Sequence, residues 1–101
     1  MIKVRNITSN NGNNIANQFI IDCGTMVIFQ SYESNIIKID YQNKTITVYA
    51  DYNYSKTTGK YRNKFLTDFG FNEINTLKTL EHAIKNGFVK INNTIYTVIT
   101  D

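Results

Sequence analysis

Apolar residues recur at every second position in two consecutive segments of the first half of the chain. Residues 37–41 and 46–50 both alternate apolar and polar side chains, and the turn-forming residues 42–44 lie between them. Alternation with a period of two places the apolar side chains on one face of a β-strand. These segments therefore predict a β-hairpin with one buried face and one solvated face.

Two earlier segments, residues 19–23 and 26–32, are apolar over longer runs and are separated by a turn at residues 23–25. Continuous apolar runs are typical of strands that are covered on both faces, or nearly so. They predict a second β-hairpin, whose strands are covered on both faces or nearly so. Residues 1–8 alternate more weakly, which indicates a short edge strand, and the Asn-rich residues 9–14 predict a turn.

The apolar period changes after residue 55. Tyr61, Phe65 and Phe69 are spaced four residues apart, which predicts a helix from near Thr58 to Phe69 with Gly70 as its C-cap. Hydroxyl side chains can accept a hydrogen bond from the first helical turn. Three residues are candidates for this N-cap: Ser55, Thr57 and Thr58.

A second helix is predicted over Leu77–Asn86, because Thr76 can cap its start and Gly87 can end it. Residues 88–91 and 94–99 then form a closing hairpin around Asn92–Asn93, a pair suited to a type I′ turn. The predicted fold class is α+β, with the order β-β-β-β-β-α-α-β-β. We expect an antiparallel sheet of about five to seven strands with two short helices packed on it.

The composition is that of an ordered domain. Hydrophobic residues make up 42% of the chain, charged residues only 19%, and proline is absent. We therefore predict a single domain over residues 1–101. No stretch approaches the length of a membrane span, and the first residues lack the apolar run of a signal peptide, which predicts a cytoplasmic protein. The net charge of +3 permits nucleic-acid contact without requiring it.

Residue types that carry catalysis or bind metals are scarce. Cys23 and His82 are the only cysteine and histidine, too few for a zinc site, and no Asp spacing resembles a calcium loop. Residues 58–60 read like the end of a phosphate-binding loop, but Tyr54 and Tyr61 occupy the positions that require Gly and Ser or Thr. We predict no catalytic residue, no metal and no cofactor, and expect Asp68 to pair with Lys64 or Arg62.

Aromatic and basic side chains are concentrated between residues 52 and 64. Tyrosine and arginine dominate the energetics of protein interfaces, and both also suit nucleic-acid contacts. The alternative is that the tyrosines are half-buried and the lysines simply solvated. On a helical wheel Arg62 falls on the buried flank, between Leu66 and Phe69, so it must snorkel, pair with a carboxylate or serve a partner. The predicted binding surface comprises Tyr52, Tyr54, Lys56, Lys60, Tyr61, Arg62 and Lys64.

Three blocks resemble a small domain family of unassigned function from tailed bacteriophages of low-G+C hosts. They read IANQFII at residues 15–21, FQSY at 29–32, and YSKTTGKYRNKFL at 54–66, preceded by Asp51–Tyr52. The blocks lie within about half of the chain, and the inserted Asn53 departs from the family's tighter aromatic-acid-aromatic pattern. The resemblance implies a phage or prophage accessory protein made in the host cytoplasm.

The size and implied origin suggest a non-enzymatic inhibitor that binds a host protein or ribonucleoprotein complex, such as an anti-CRISPR or other anti-defence protein. A small basic nucleic-acid-binding module is the alternative, and a morphogenesis subunit is a third hypothesis. The exposed edges of a small sheet also make a homodimer an open alternative. No membrane partner is expected.

Overall fold

Seven β-strands and two α-helices form the chain in a computed structural model, which describes residues 2–101. The element order and the α+β class agree with the prediction from the sequence. Met1, which the sequence placed in the first strand segment, lies outside the described residues. The elements are β1 (Lys3–Thr8), β2 (Asn14–Asp22), β3 (Met26–Ser31), β4 (Ser34–Asp40), β5 (Thr45–Val48), α1 (Lys56–Asp68), a short 3-10 helix (Asn72–Ile74), α2 (Leu77–Asn86), β6 (Phe88–Ile91) and β7 (Thr94–Thr100).

All seven strands belong to one sheet in the order β1-β2-β3-β4-β5-β7-β6. The strand pairs are antiparallel except for β5 and β7, which run parallel, with Ile46 opposite Val98. The sheet is therefore mostly antiparallel, as expected, with this one parallel pair. The reason lies in the crossover: both helices separate β5 from the last hairpin, and that hairpin joins the sheet through its second strand.

Both helices pack on the same face of the sheet, where the core lies. The Phe65 ring of α1 stacks on Phe29 of β3 with ring centroids 5.8 Å apart, and it also contacts Phe69 at 4.9 Å. Phe71, between the helices, meets the edge of the Tyr96 ring of β7 at 5.3 Å. These aromatic contacts join α1, the inter-helix segment and the sheet into one core.

The opposite face of the sheet carries no helix. Because side chains alternate along a strand, Met26 and Ile28 point away from the face that holds Val27 and Phe29. Val27 and Phe29 are buried, whereas Met26 and Ile28 are only half-buried. The predicted cover on both faces is thus found on one face only. The uncovered side is called the open face below.

Several local signals act as the sequence predicted. Thr76 and Thr79 form a reciprocal capping box at the start of α2, and Gly87 ends that helix with a φ of 80°. Asn92 and Asn93 both adopt positive φ, at 47° and 69°, as a type I′ turn requires. By contrast, β2 begins at Asn14 rather than near residue 19.

Asp40 organises the turn that follows β4, and we expect its carboxylate to make the stability of the fold depend on pH. Its carboxylate accepts hydrogen bonds from the backbone N–H groups of Gln42 and Asn43 at 3.1 and 3.0 Å, and from the Asn43 amide at 2.9 Å. The bonds from Asn43 are the main reason that the pKa of Asp40 is lowered. A lowered pKa adds stability above the unfolded-state pKa of about 3.9, and that stability is lost as the pH falls.

The thermal midpoint of an Asp40→Asn variant should therefore fall less than that of the parent between about pH 5 and pH 2. Thermal unfolding followed by circular dichroism at several pH values measures this difference. Asp51→Asn is the control, since Asp51 is exposed and its side chain forms no hydrogen bond to another described residue. Identical pH profiles for Asp40→Asn and the parent would contradict the assignment.

Candidate functional site

The predicted binding residues lie on α1 and on the loop that precedes it. Ser55 is the N-cap, and its Oγ accepts a hydrogen bond from the Thr58 N–H at 3.1 Å, so α1 begins at Lys56, slightly before the predicted start. Lys56 and Lys60 are one helical turn apart and both exposed. The Lys60 ammonium lies 5.3 Å from the centroid of the Tyr61 ring, which is a cation–π distance.

The two loop tyrosines have different environments. Tyr54 is 74% exposed. Tyr52 is half-buried, and its hydroxyl donates a hydrogen bond of 2.7 Å to the Glu81 carboxylate on α2. That hydrogen bond, together with burial, raises the pKa of Tyr52. Tyr52 therefore links the loop to α2, whereas Tyr54 is free to contact a partner.

Arg62 is the clearest correction to the predicted surface. Only 1% of it is exposed, so it is not available to a partner. Its Nη1 donates a hydrogen bond of 2.6 Å to the Tyr52 carbonyl oxygen, and its Nε and Nη2 both donate to the Asn63 side-chain oxygen, at 3.2 and 2.9 Å. The guanidinium is occupied by these intramolecular hydrogen bonds, which fasten the loop to α1.

The buried Arg62 has no directly bonded counter-ion. Within residues 2–101, no carboxylate lies within ion-pair distance of the guanidinium. Burial lowers the pKa of Arg62, an effect that the nearby Tyr52 and Glu81 oppose. A buried cation that is satisfied by neutral acceptors is a positioning group: it holds the loop that carries Tyr54.

The remaining predicted residues divide between core and surface. Tyr61 is half-buried and packs against the core. The Lys64 ammonium pairs with the Asp68 carboxylate at 3.1 Å, which agrees with one of the two predicted pairings. Of the seven predicted residues, three remain well exposed: Tyr54, Lys56 and Lys60.

A cleft of about 770 Å³ opens beside the start of α1, and the sequence reasoning did not find it. One wall is the β3–β4 turn with Tyr32 and Glu33, and the other is the loop with Asp51 and Tyr54. Tyr32, at 51% exposed, is a second accessible tyrosine on the rim. Much of the remaining lining consists of residues with hydroxyl groups: Ser31, Ser34, Ser55, Thr57 and Thr58.

The three sequence blocks at residues 15–21, 29–32 and 54–66 meet at this cleft. The first block contributes Asn17, the second contributes Ser31 and Tyr32, and the third contributes Tyr54 and the first residues of α1. The blocks are separated along the chain, and the strand pairing β2-β3-β4 together with α1 brings them together. Tyr32 was visible as the end of the FQSY block, but only the fold shows which residues it faces.

Three buried polar side chains lie under or beside the cleft: Ser31, Thr58 and Gln18. The Ser31 and Thr58 hydroxyls hydrogen-bond at 3.0 Å and join β3 to α1. Gln18, which is opposite Ser31 in the β2–β3 register, is fully buried, and its side-chain amide has no hydrogen-bond partner among the described residues.

The charges that line the cleft differ in sign from those on the neighbouring helix. Glu33 and Asp51 line the cleft and no Lys or Arg does, whereas Lys56 and Lys60 project nearby from α1. Carboxylates and aromatic rings in one cleft suit a cationic side chain of a partner. The described residues contain no group of three or more side chains able to hold a metal ion.

No helix in the part of the chain that the structure describes combines the length and apolar character needed to cross a membrane. No curated protein and no solved structure matches this chain. One family model, a family of unknown function called DUF8033, matches residues 2–82, which extend from β1 into α2 and include all three blocks. The chain therefore belongs to the DUF8033 family.

Proposed function

We propose that this domain is a non-enzymatic phage or prophage accessory protein that binds and inhibits a host protein in the host cytoplasm. An anti-CRISPR or another anti-defence inhibitor is the kind of protein meant, and the target is a host protein or a ribonucleoprotein complex. The observation that supports this proposal is the meeting of three separate blocks at one cleft rimmed by two exposed tyrosines, Tyr32 and Tyr54.

The rim has the chemistry of a protein-binding site. Exposed tyrosines supply a large contact area at a small cost in side-chain entropy, and they are enriched among the residues that dominate interface energies. Glu33 and Asp51 can accept hydrogen bonds from a basic side chain of the partner, while Lys56 beside them can meet an acidic one. The binding surface proposed here is thus centred on Tyr54 and extended to Tyr32, without Arg62.

A pull-down from host lysate, with and without nuclease, tests the proposal. A host protein should remain bound after nuclease treatment, and a Tyr32→Ala, Tyr54→Ala double variant should bind it at least about tenfold more weakly, as for interface hot spots. His82→Ala is the control, because His82 is exposed on α2 away from the cleft. Unchanged binding by the double variant would rule out the cleft as the binding surface.

A nucleic-acid-binding module remains the second candidate, supported by the adjacent exposed Lys56 and Lys60 and by the ring of Tyr61 beside Lys60. This function predicts an affinity that falls steeply with salt, and a Lys56→Ala, Lys60→Ala double variant with a shallower salt dependence. Fluorescence anisotropy with labelled single-stranded and double-stranded oligonucleotides measures both. Binding that does not respond to salt would exclude this candidate, as would a pull-down that recovers no nucleic acid.

A further inference from the structure

The open face carries a row of side chains that runs across six strands. The register places Val4, Ile21 and Ile28 side by side on β1, β2 and β3, followed by Lys38 on β4, Thr47 on β5 and Ile99 on β7. Four of these six residues are aliphatic. Both helices pack on the other face, so no helix covers this row.

The apolar surface extends beyond that row. Most of the exposed large hydrophobic residues that the structure describes lie on the open face rather than around the cleft: Val4, Phe88, Ile95 and Ile99. Their exposed fractions range from 44% for Ile99 to 63% for Val4. An apolar surface of this extent on one side of a small domain marks an interaction site.

We propose that the open face is the contact surface of a homodimer, in which two copies pack their sheets face to face. Side-chain rows on a sheet have the spacing of its strands, so an identical second face presents matching ridges and grooves, as in a β-sandwich. The long apolar runs of β2 and β3 are typical of strands covered on both faces. In the dimer, the sheet of the second copy covers the face that the helices leave open.

The dimensions of the face agree with a dimer contact. Seven strands about 4.8 Å apart and about six residues long form a face of roughly 600 Å². Two copies would bury roughly 1,200 Å², which is at the lower end of specific interfaces. We therefore infer a dimer that dissociates at low concentration.

The sheet edges are less suited to pairing than the face. The β1 edge carries the exposed cations Lys3 and Arg5, and the β6 edge is a strand of only four residues. Charged side chains and short edge strands are the common means by which proteins prevent edge-to-edge pairing. The geometry therefore favours contact through the face.

Lys38 is the one charged residue in the row that runs across six strands. Its substitution by an apolar residue should therefore strengthen the dimer. Its ammonium must lose water or reach the rim when two faces meet, which weakens the dimer. A Lys38→Met variant keeps a similar length without the charge, so its dimer dissociation constant should be several-fold lower than that of the parent.

Sedimentation velocity of the purified chain over a wide concentration range tests the inference. The mass should rise with concentration from 11.7 kDa to twice that value. A Val4→Lys, Ile99→Lys double variant should remain monomeric at concentrations where the parent dimerises, because both substitutions lie on the exposed part of the face. Circular dichroism confirms that the variant is folded. His82→Lys is the control that should dimerise like the parent, because His82 is exposed on α2, which packs on the other face of the sheet.

A parent chain that remains monomeric throughout, or forms only larger species, would overturn the inference. So would a dimer that persists unchanged in the Val4→Lys, Ile99→Lys variant, since that dimer would use an edge or the cleft. A Lys38→Met dimer no tighter than the parent would likewise contradict face-to-face packing. None of these results depends on whether a host protein is bound at the cleft.

Discussion

An Arg62→Ala variant is expected to lose roughly 3 kcal/mol of unfolding free energy, because the Arg62 side chain is buried and its guanidinium is hydrogen-bonded. The substitution removes a buried side chain and leaves a cavity between α1 and the preceding loop. It also leaves the Tyr52 carbonyl oxygen without the hydrogen bond of 2.6 Å that it accepts from Nη1. Urea unfolding followed by circular dichroism measures the loss.

Two further substitutions separate the contributions of shape and hydrogen bonding at this position. Arg62→Met retains most of the volume without the donors, and because it also removes a buried charge that has no ion-pair partner, it should cost less than Arg62→Ala. Arg62→Lys keeps the charge but lacks the planar fork of donors with which Arg62 reaches Tyr52 and Asn63, so it should lie between them.

Lys60→Ala is the matched control for this series. Lys60 is exposed on the same helix, and its substitution should change stability by no more than about 0.5 kcal/mol. An Arg62→Ala variant as stable as Lys60→Ala would show that the guanidinium does not hold the loop. That result would also make Arg62 a candidate for contact with a partner again.

A Phe65→Ala variant should lose about 3–5 kcal/mol, the largest effect expected from a single substitution in this chain. Phe65 is fully buried and its ring contacts both Phe29 on the sheet and Phe69 on its own helix. Because a domain of this size has a total stability of roughly 5–15 kcal/mol, the variant should be close to unfolding at ordinary temperature. Chemical denaturation measures the loss.

Phe88→Ala provides the comparison for that prediction. It removes the same aromatic ring from a position that is 53% exposed, and it should cost less than about 1 kcal/mol in the monomer. Equal losses for the two variants would mean that α1 is not docked on β3 through the Phe65 ring.

The helices could be predicted from the sequence because their signals are local. Thr76 and Gly87 mark the ends of α2, and the bounds predicted from them agree with the structure. Arg62 was placed correctly on the buried flank of α1 by its position relative to Leu66 and Phe69. Its hydrogen-bond acceptor, the Tyr52 carbonyl, was not predictable, because a backbone group in a loop has no signature in the sequence.

Features that depend on distant segments were missed. β2 begins at Asn14, within a polar stretch that has low strand propensity, because pairing with β1 outweighs local preference there. The parallel pairing of β5 with β7 depends on the path of the chain through the two helices. The cleft depends on it too, because that path positions the start of α1. The exposed Tyr54 was predicted as a binding residue, whereas Tyr32 was not, because the two meet only in the folded chain.

The position of β7 between β5 and β6 has a consequence for the order in which the domain folds. The β5 edge stays unpaired until β7 reaches it, because β7 follows both helices and β6 in the chain. Closing such a non-local parallel pair is slow, since the entropy of the intervening segment is lost before any contact compensates for it. In a partly folded chain the apolar residues Ile46 and Val48 therefore face solvent on an open edge, and intermolecular strand addition during refolding should begin there.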